Sequence, residues 1–176
     1  MRVSLAGVTF DLRVDRIDEL EDGARVILDY KTGRPLTPDF LGERPTDPQL
    51  LVYLLAAPQN VAAVAVVALA PHRVAYRGIA DRQGRLPRIA GLEDRLRRPE
   101  LLASEATVAA PEQIWTRQIE AWQSRLERLV TDFLHGAACV DPAKDACRTC
   151  HLQAFCRIAE RESTADDTGG IEVMDD

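Results

Sequence analysis

Residues 61–70, VAAVAVVALA, run for ten positions without one polar side chain. A β-branched run of that length suits a strand covered on both faces, because a strand with one face in water alternates polar and apolar positions. A chain that contains it has to build layers on either side of a sheet. The next segment, HRVAYRGIA (72–80), does alternate and is predicted as its partner strand.

The flanking segments supply the remaining elements. Residues 8–17, VTFDLRVDRI, alternate at period two, EDG follows with turn chemistry, and ARVILDY (24–30) reads as a second strand, so the three together predict a β-hairpin. TGRPLTPDFLGERPTD (32–47) is rich in Gly, Pro and Asp and is predicted as a loop. It leads to a helix start, with Asp47 as N-cap and Pro48 in the first turn. QLLVYLLAA (49–57) continues that helix until Pro58 stops it. Residues 81–110 are mixed, with short helical turns. A long amphipathic helix is predicted over 111–135, with Trp115, Ile119, Trp122, Leu126, Leu129 and Phe133 forming a core stripe at spacings of three and four, and Gly136 as C-cap. The acidic, Gly/Ser/Thr-rich tail, 159–176, predicts disorder.

With 176 residues, 46% of them hydrophobic, the chain is long enough for one domain with its own core. No apolar run approaches the ~20 residues that span a bilayer, and the N-terminus lacks the layout of a signal peptide, so the expected location is cytoplasmic with no membrane contact. The net charge of −6 argues against nonspecific coating of nucleic acid, although a local basic groove is compatible with it. Lysine is rare: Lys31 and Lys144 are the two in the sequence.

Lys31 stands in VILDYKTG (26–33), where an apolar strand ends in charge. A hairpin turn centred on Asp22 and Gly23 makes residues whose numbers sum to about 45 face each other, which puts Asp15 beside Tyr30 and next to Asp29. Strands lie ~4.8 Å apart and side chains alternate, so the two carboxylates can share an ion while Asp29 and Lys31 point to one face. Mg²⁺ takes one or two carboxylates together with phosphate oxygens and water, and this hairpin offers that set. A bound cation lowers the pKa of its water, and a lysine can orient a nucleophile or neutralise charge on a scissile phosphate. Spacing alone equally admits Asp15 and Asp29 as solvent-facing strand ends paired with Arg13, Arg16 or Lys31.

All four cysteines, Cys139, Cys147, Cys150 and Cys156, lie in the last fifth of the chain, a clustering that reads as metal ligation rather than a disulfide framework. With His151 as a further donor they could complete a zinc tetrahedron, although the second C-x2-C pair of a zinc ribbon is missing.

VDRIDELEDGARVILDYKTG, DPQLLVY and CRTCHLQAFCRI, in that order and spacing, resemble the PD-(D/E)XK nuclease superfamily in its RecB-like branch, close to AddB-type nuclease domains of DNA repair proteins. The resemblance implies an α/β, restriction-endonuclease-like core with a mixed central sheet flanked by helices and a C-terminal cysteine-rich segment. It implies a nuclease domain over 1–158, including a cysteine-rich segment at 139–158. Asp15 and Asp29 would be ligands of Mg²⁺ or Mn²⁺, with the Tyr30 main-chain carbonyl a further ligand and Lys31 the catalytic lysine. Gln49 and Tyr53 match the family's Gln and Tyr near the metal and the DNA strand; on physical grounds Gln49 could equally cap the helix and Tyr53 be a core aromatic. Cys147, Cys150 and Cys156 resemble three ligands of a 4Fe-4S cluster. The family's fourth cysteine lies upstream of the hairpin, where this sequence has none, and Cys139 is the remaining candidate. Relatives also precede the hairpin with a helix that lends a His or acidic residue, so a domain lacking its first helix is expected. The implied activity is DNA hydrolysis, exonucleolytic and in a repair or recombination setting, with a helicase domain or subunit as partner. The alternative is a catalytically incomplete module that binds DNA or that partner.

Overall fold

A computed structural model describes residues 1–32, 38–42, 44–45, 47–57, 59–96, 111–137, 139–142, 146–148 and 150–156. Gly33, Pro58 and the tail 159–176 lie outside them. The chain divides into two compact units, 1–134 and 135–176.

In the first unit the apolar run becomes β5 (Val61–Ala70), whose first eight residues are buried. Its neighbours are β4 (Arg25–Thr32), parallel to it, and β6 (Arg73–Ala80), antiparallel. β3 (Arg16–Glu19) pairs antiparallel with β4 and completes a mixed sheet of order β3-β4-β5-β6. A parallel pair needs a crossover, and α1 (Gln49–Ala56) lies in the connection between β4 and β5. The apolar side chains of β4 and β5 divide between the two faces. Ile27, Val64 and Val66 join Leu50, Leu51, Tyr53 and Leu54 of α1 and Trp115, Trp122 and Leu126 of α3 (Pro111–Leu134) in the main core. Val26, Leu28, Ala63, Ala65 and Val67 face the other way, towards Leu86 and Tyr76, with Ile89. The short α2 (Leu92–Leu96) follows the segment that carries Leu86 and Ile89.

The predicted strand over 8–17 is instead two strands. Residues 8–11 form β2 (Val8–Asp11), which pairs with β1 (Arg2–Leu5) in a separate two-stranded sheet, and only 16–19 join β4. Alternation persists through the break because Leu12 and Val14 still pack against the core, so periodicity could not reveal it. The hairpin register sums to 44 (Arg16 opposite Leu28), one less than predicted, with Gly23 at φ +77° in the turn. His72 lies in the β5–β6 turn at φ +62° rather than in the strand.

The long helix holds its predicted stripe in part. Trp115, Trp122 and Leu126 are buried, the two indoles meeting edge to face at 5.5 Å, with each ring N–H given to a main-chain carbonyl: Trp115 to Val61 and Trp122 to Phe40. Leu129 and Phe133 are exposed, Phe133 at 79%, and they line an open apolar groove with Leu5, Val8 and Phe10 of the two-stranded sheet. The α1 start differs from expectation by one residue: Pro48 occupies the N-cap position, while the Asp47 carboxylate accepts the Gln49 N–H at 3.2 Å.

In the second unit a 3-10 turn (Ala146–Arg148) carries Cys147 and the four-residue α4 (Gln153–Cys156) carries Cys156, with Cys150 between them, and Gly136 at φ +74° has the left-handed geometry expected of a C-cap. Among the described residues no helix is long and apolar enough to cross a membrane.

Candidate active site

β3 stops pairing at Arg16 opposite Leu28, while β4 runs four residues further, to Thr32. That overhang leaves the main chain at Tyr30 without a strand partner on the β3 side. Asp15, the residue just before β3, takes the place of the missing partner: its Oδ2 accepts the Tyr30 N–H at 2.9 Å. The carboxylate of Asp15 is thereby held at the end of β4 although its residue is exposed.

Asp29 sits one position earlier on β4 and is 3% exposed, the one buried charged residue of the described chain. Side-chain alternation puts Ile27, Asp29 and Lys31 on the α1 side of the sheet. Lys31 Nζ lies 3.0 Å from Asp29 Oδ2, and Lys31 itself is about one-third exposed, at 34%. The approach is close but off the angle a hydrogen bond requires, so Oδ2 is buried without an aligned donor. The reading of both aspartates as solvent-facing strand ends therefore fails for Asp29. Its contact with the Asp29 carboxylate holds the Lys31 ammonium above its ordinary pKa, against burial, and Asp47 contributes in the same direction.

α1 brings the other two predicted residues to the same place. Lys31 Nζ donates to Gln49 Oε1 at 2.7 Å, Gln49 Nε2 donates to the Tyr53 hydroxyl at 2.6 Å, and that hydroxyl donates to the Arg13 carbonyl at 3.0 Å. Gln49 and Tyr53 are four apart, hence on one helical face. The Gln49 side chain does not cap the helix; it serves Lys31. Tyr53 is a core aromatic with its ring buried, and its hydroxyl reaches the site as well. Asp15, Asp29, Tyr30, Lys31, Gln49 and Tyr53 thus converge on one end of β4. The Arg13 carbonyl is the member that sequence reasoning missed, since a main-chain acceptor has no residue signature.

A buried oxygen with no aligned donor, a second carboxylate on the neighbouring main-chain amide and an ammonium beside them form a donor set that suits a hard divalent cation, which needs only one or two protein carboxylates. Among the described residues no group of three or more His, Cys, Asp or Glu side chains is arranged to hold a metal. The cysteines are accordingly not gathered into a ligand set: Cys139 is exposed, Cys147, Cys150 and Cys156 are partly buried, and no disulfide joins any of them. Local turns link part of the group, with the Cys150 N–H given to the Cys147 carbonyl and the Leu152 N–H to Cys150 Sγ, both at 3.4 Å.

No curated protein and no solved structure matches the chain significantly. The family model of the PD-(D/E)XK nuclease superfamily matches residues 2–157, a span that takes in both aspartates, the lysine, the Gln/Tyr face of α1 and the cysteines. A match over that much of the sequence shows that the chain belongs to the PD-(D/E)XK nuclease superfamily.

Proposed function

We propose that the chain is a Mg²⁺- or Mn²⁺-dependent deoxyribonuclease domain that hydrolyses phosphodiester bonds, exonucleolytically, in a DNA repair or recombination protein of the cytoplasm that works with a helicase. An aspartate 3% exposed, with an oxygen lacking an aligned donor and a lysine 3.0 Å away, carries this assignment. A protein bears the cost of burying such a group where the group has work to do. Asp29 and Asp15, with the Tyr30 carbonyl, would hold the cation. Once bound, it would polarise the phosphate and supply a more acidic water. Asp29 keeps the ammonium of Lys31 charged and fixed, so that its exposed side faces charge developing on the phosphate. Gln49 restrains Lys31 by a second contact, accepting from its ammonium at 2.7 Å.

We further assign Cys147, Cys150 and Cys156 to an iron-sulfur cluster, with Cys139 or a residue outside this sequence as fourth ligand. Their support is the C-x2-C-x5-C spacing and the Leu152 N–H directed at Cys150 Sγ, a contact that stabilises a thiolate. Protein purified without oxygen should then carry iron and sulfide, and Cys150→Ser should lower both; zinc in their place would replace this assignment.

The nuclease test uses purified chain with Mg²⁺ or Mn²⁺ and linear or circular DNA. Linear DNA is degraded from its ends and circular DNA resists, and Asp29→Ala or Lys31→Ala abolishes the reaction while the domain stays folded. Cleavage that survives both substitutions would sink the assignment, and DNA binding with no cleavage under either metal would favour the non-catalytic module.

A further inference from the structure

The hydrogen bonds between Lys31 and Arg13 have one direction, because the ammonium at one end can only donate and the carbonyl at the other can only accept. The Arg13 carbonyl can only accept, so the single hydroxyl proton of Tyr53 is committed to it. The Tyr53 oxygen is then left to accept, and of the two ends of the Gln49 amide only Nε2 can donate to it. Oε1 is therefore the end that Lys31 meets. Without the hydroxyl, Nε2 loses its acceptor and the amide is held at its Lys31 end alone. Rotated by half a turn, Gln49 would point an NH₂ group at an ammonium, two donors facing each other.

The geometry points to Tyr53 as a positioning residue that acts on Lys31 through Gln49: its hydroxyl, anchored on the Arg13 carbonyl, fixes the amide so that it presents an acceptor to the lysine. The same anchor ties α1 to residues 12–15, the segment that carries Asp15, so one hydroxyl sets both flanks of Asp29. The catalytic consequence rests on the nuclease function proposed above, whereas the polarity of the bonds does not.

The two amide ends can be told apart by an isosteric carboxylate, which has an acceptor at both. Tyr53→Phe keeps the buried ring and removes the hydroxyl. Adding Gln49→Glu gives Lys31 an acceptor in either rotation, without need of the hydroxyl. Because Lys31 and Lys144 are the two lysines of the sequence, ¹³C-lysine labelling of the full chain gives two side-chain signals, read without metal or DNA. The order parameter of the Lys31 ε-methylene is expected to fall in Y53F and to recover in Y53F/Q49E. In cleavage assays kcat falls about tenfold in Y53F, with KM for DNA within about twofold, as suits loss of one positioning bond, and the double variant regains most of it. Unchanged Lys31 order in Y53F, or a double variant no more ordered than Y53F, overturns the proposal. Should Y53F lose its cooperative unfolding transition, Gln49→Leu breaks the same chain one bond later and must loosen Lys31; an ordered lysine there refutes it equally. A chain that cleaves no DNA but shows the expected changes in lysine order would remove the nuclease function and leave the polarity standing.

Discussion

Replacing Asp29 with asparagine should make the metal-free protein slightly more stable while removing its response to metal. The carboxylate is 3% exposed and Oδ2 has no aligned donor. Leaving such an oxygen buried costs about 1–3 kcal/mol. The opposing attraction comes from Lys31, which is 34% exposed and therefore screened, so it returns about 0–1 kcal/mol. Lys31 is not stranded in the variant, because it keeps its bond to Gln49 and its contact with water. An amide of the same shape still buries a polar atom at that place but sheds the charge, so the balance is a gain of about 1 kcal/mol. For a unit of 134 residues, with an unfolding entropy near 0.3 kcal/mol per degree, that raises Tm by about 3–4 °C. Mg²⁺ at a hundred times its Kd adds about 2.7 kcal/mol to the wild type, or roughly 9 °C, and little to Asp29→Asn. Thermal unfolding of both proteins in EDTA and in a Mg²⁺ series reads all four states. A variant several degrees less stable in EDTA would mean that Asp29 is held as a structural ion pair, and an equal Mg²⁺ response would mean that it binds no metal. Either result refutes the reasoning.

Three further outcomes follow from other parts of the fold. Asp22, at the β3–β4 turn, is contacted by Arg85 and Arg82, and the Arg85 contact, aided by the Ala24 N–H, holds its carboxyl below the ordinary range. A depressed folded pKa gives stability that is present above the unfolded value and lost as pH falls through the folded one, so the Tm gap between wild type and Asp22→Asn should be full at neutral pH and close in strong acid; a gap independent of pH would contradict the ion pair. Trp122→Phe leaves the Phe40 carbonyl without its donor and opens space at a fully buried position, which should lower the urea-derived unfolding free energy by about 2–3 kcal/mol. Phe133→Ser, at a side chain 79% exposed, should change it by less than about 0.5 kcal/mol, and a larger loss would show that this end of α3 is covered.

Much of this protein is decided within short stretches of sequence. The ten apolar residues 61–70 could satisfy themselves only as a strand with both faces covered, and they do. Turn chemistry at Asp22 and Gly23 set the hairpin to within one residue, and period two put Asp29 and Lys31 on a common face. Helical spacing made Gln49 and Tyr53 neighbours before any fold was known. Tertiary structure decided what local pattern leaves open. The strand over 8–17 breaks because β3 ends where Asp15 takes over the Tyr30 N–H, and alternation is the same whether a strand is continuous or interrupted. Phe133 is exposed although it shares the stripe of Trp122, since periodicity defines a face of a helix but not how closely the elements beneath it fill that face. Burial of Asp29 beside an exposed Asp15, and the bond from Tyr53 to the Arg13 carbonyl forty residues away, depend on α1 packing across β4. Local sequence supplies the reactive groups and their faces, but burial and main-chain partners exist only once distant segments meet, and at this site they determine which oxygen is left without a donor.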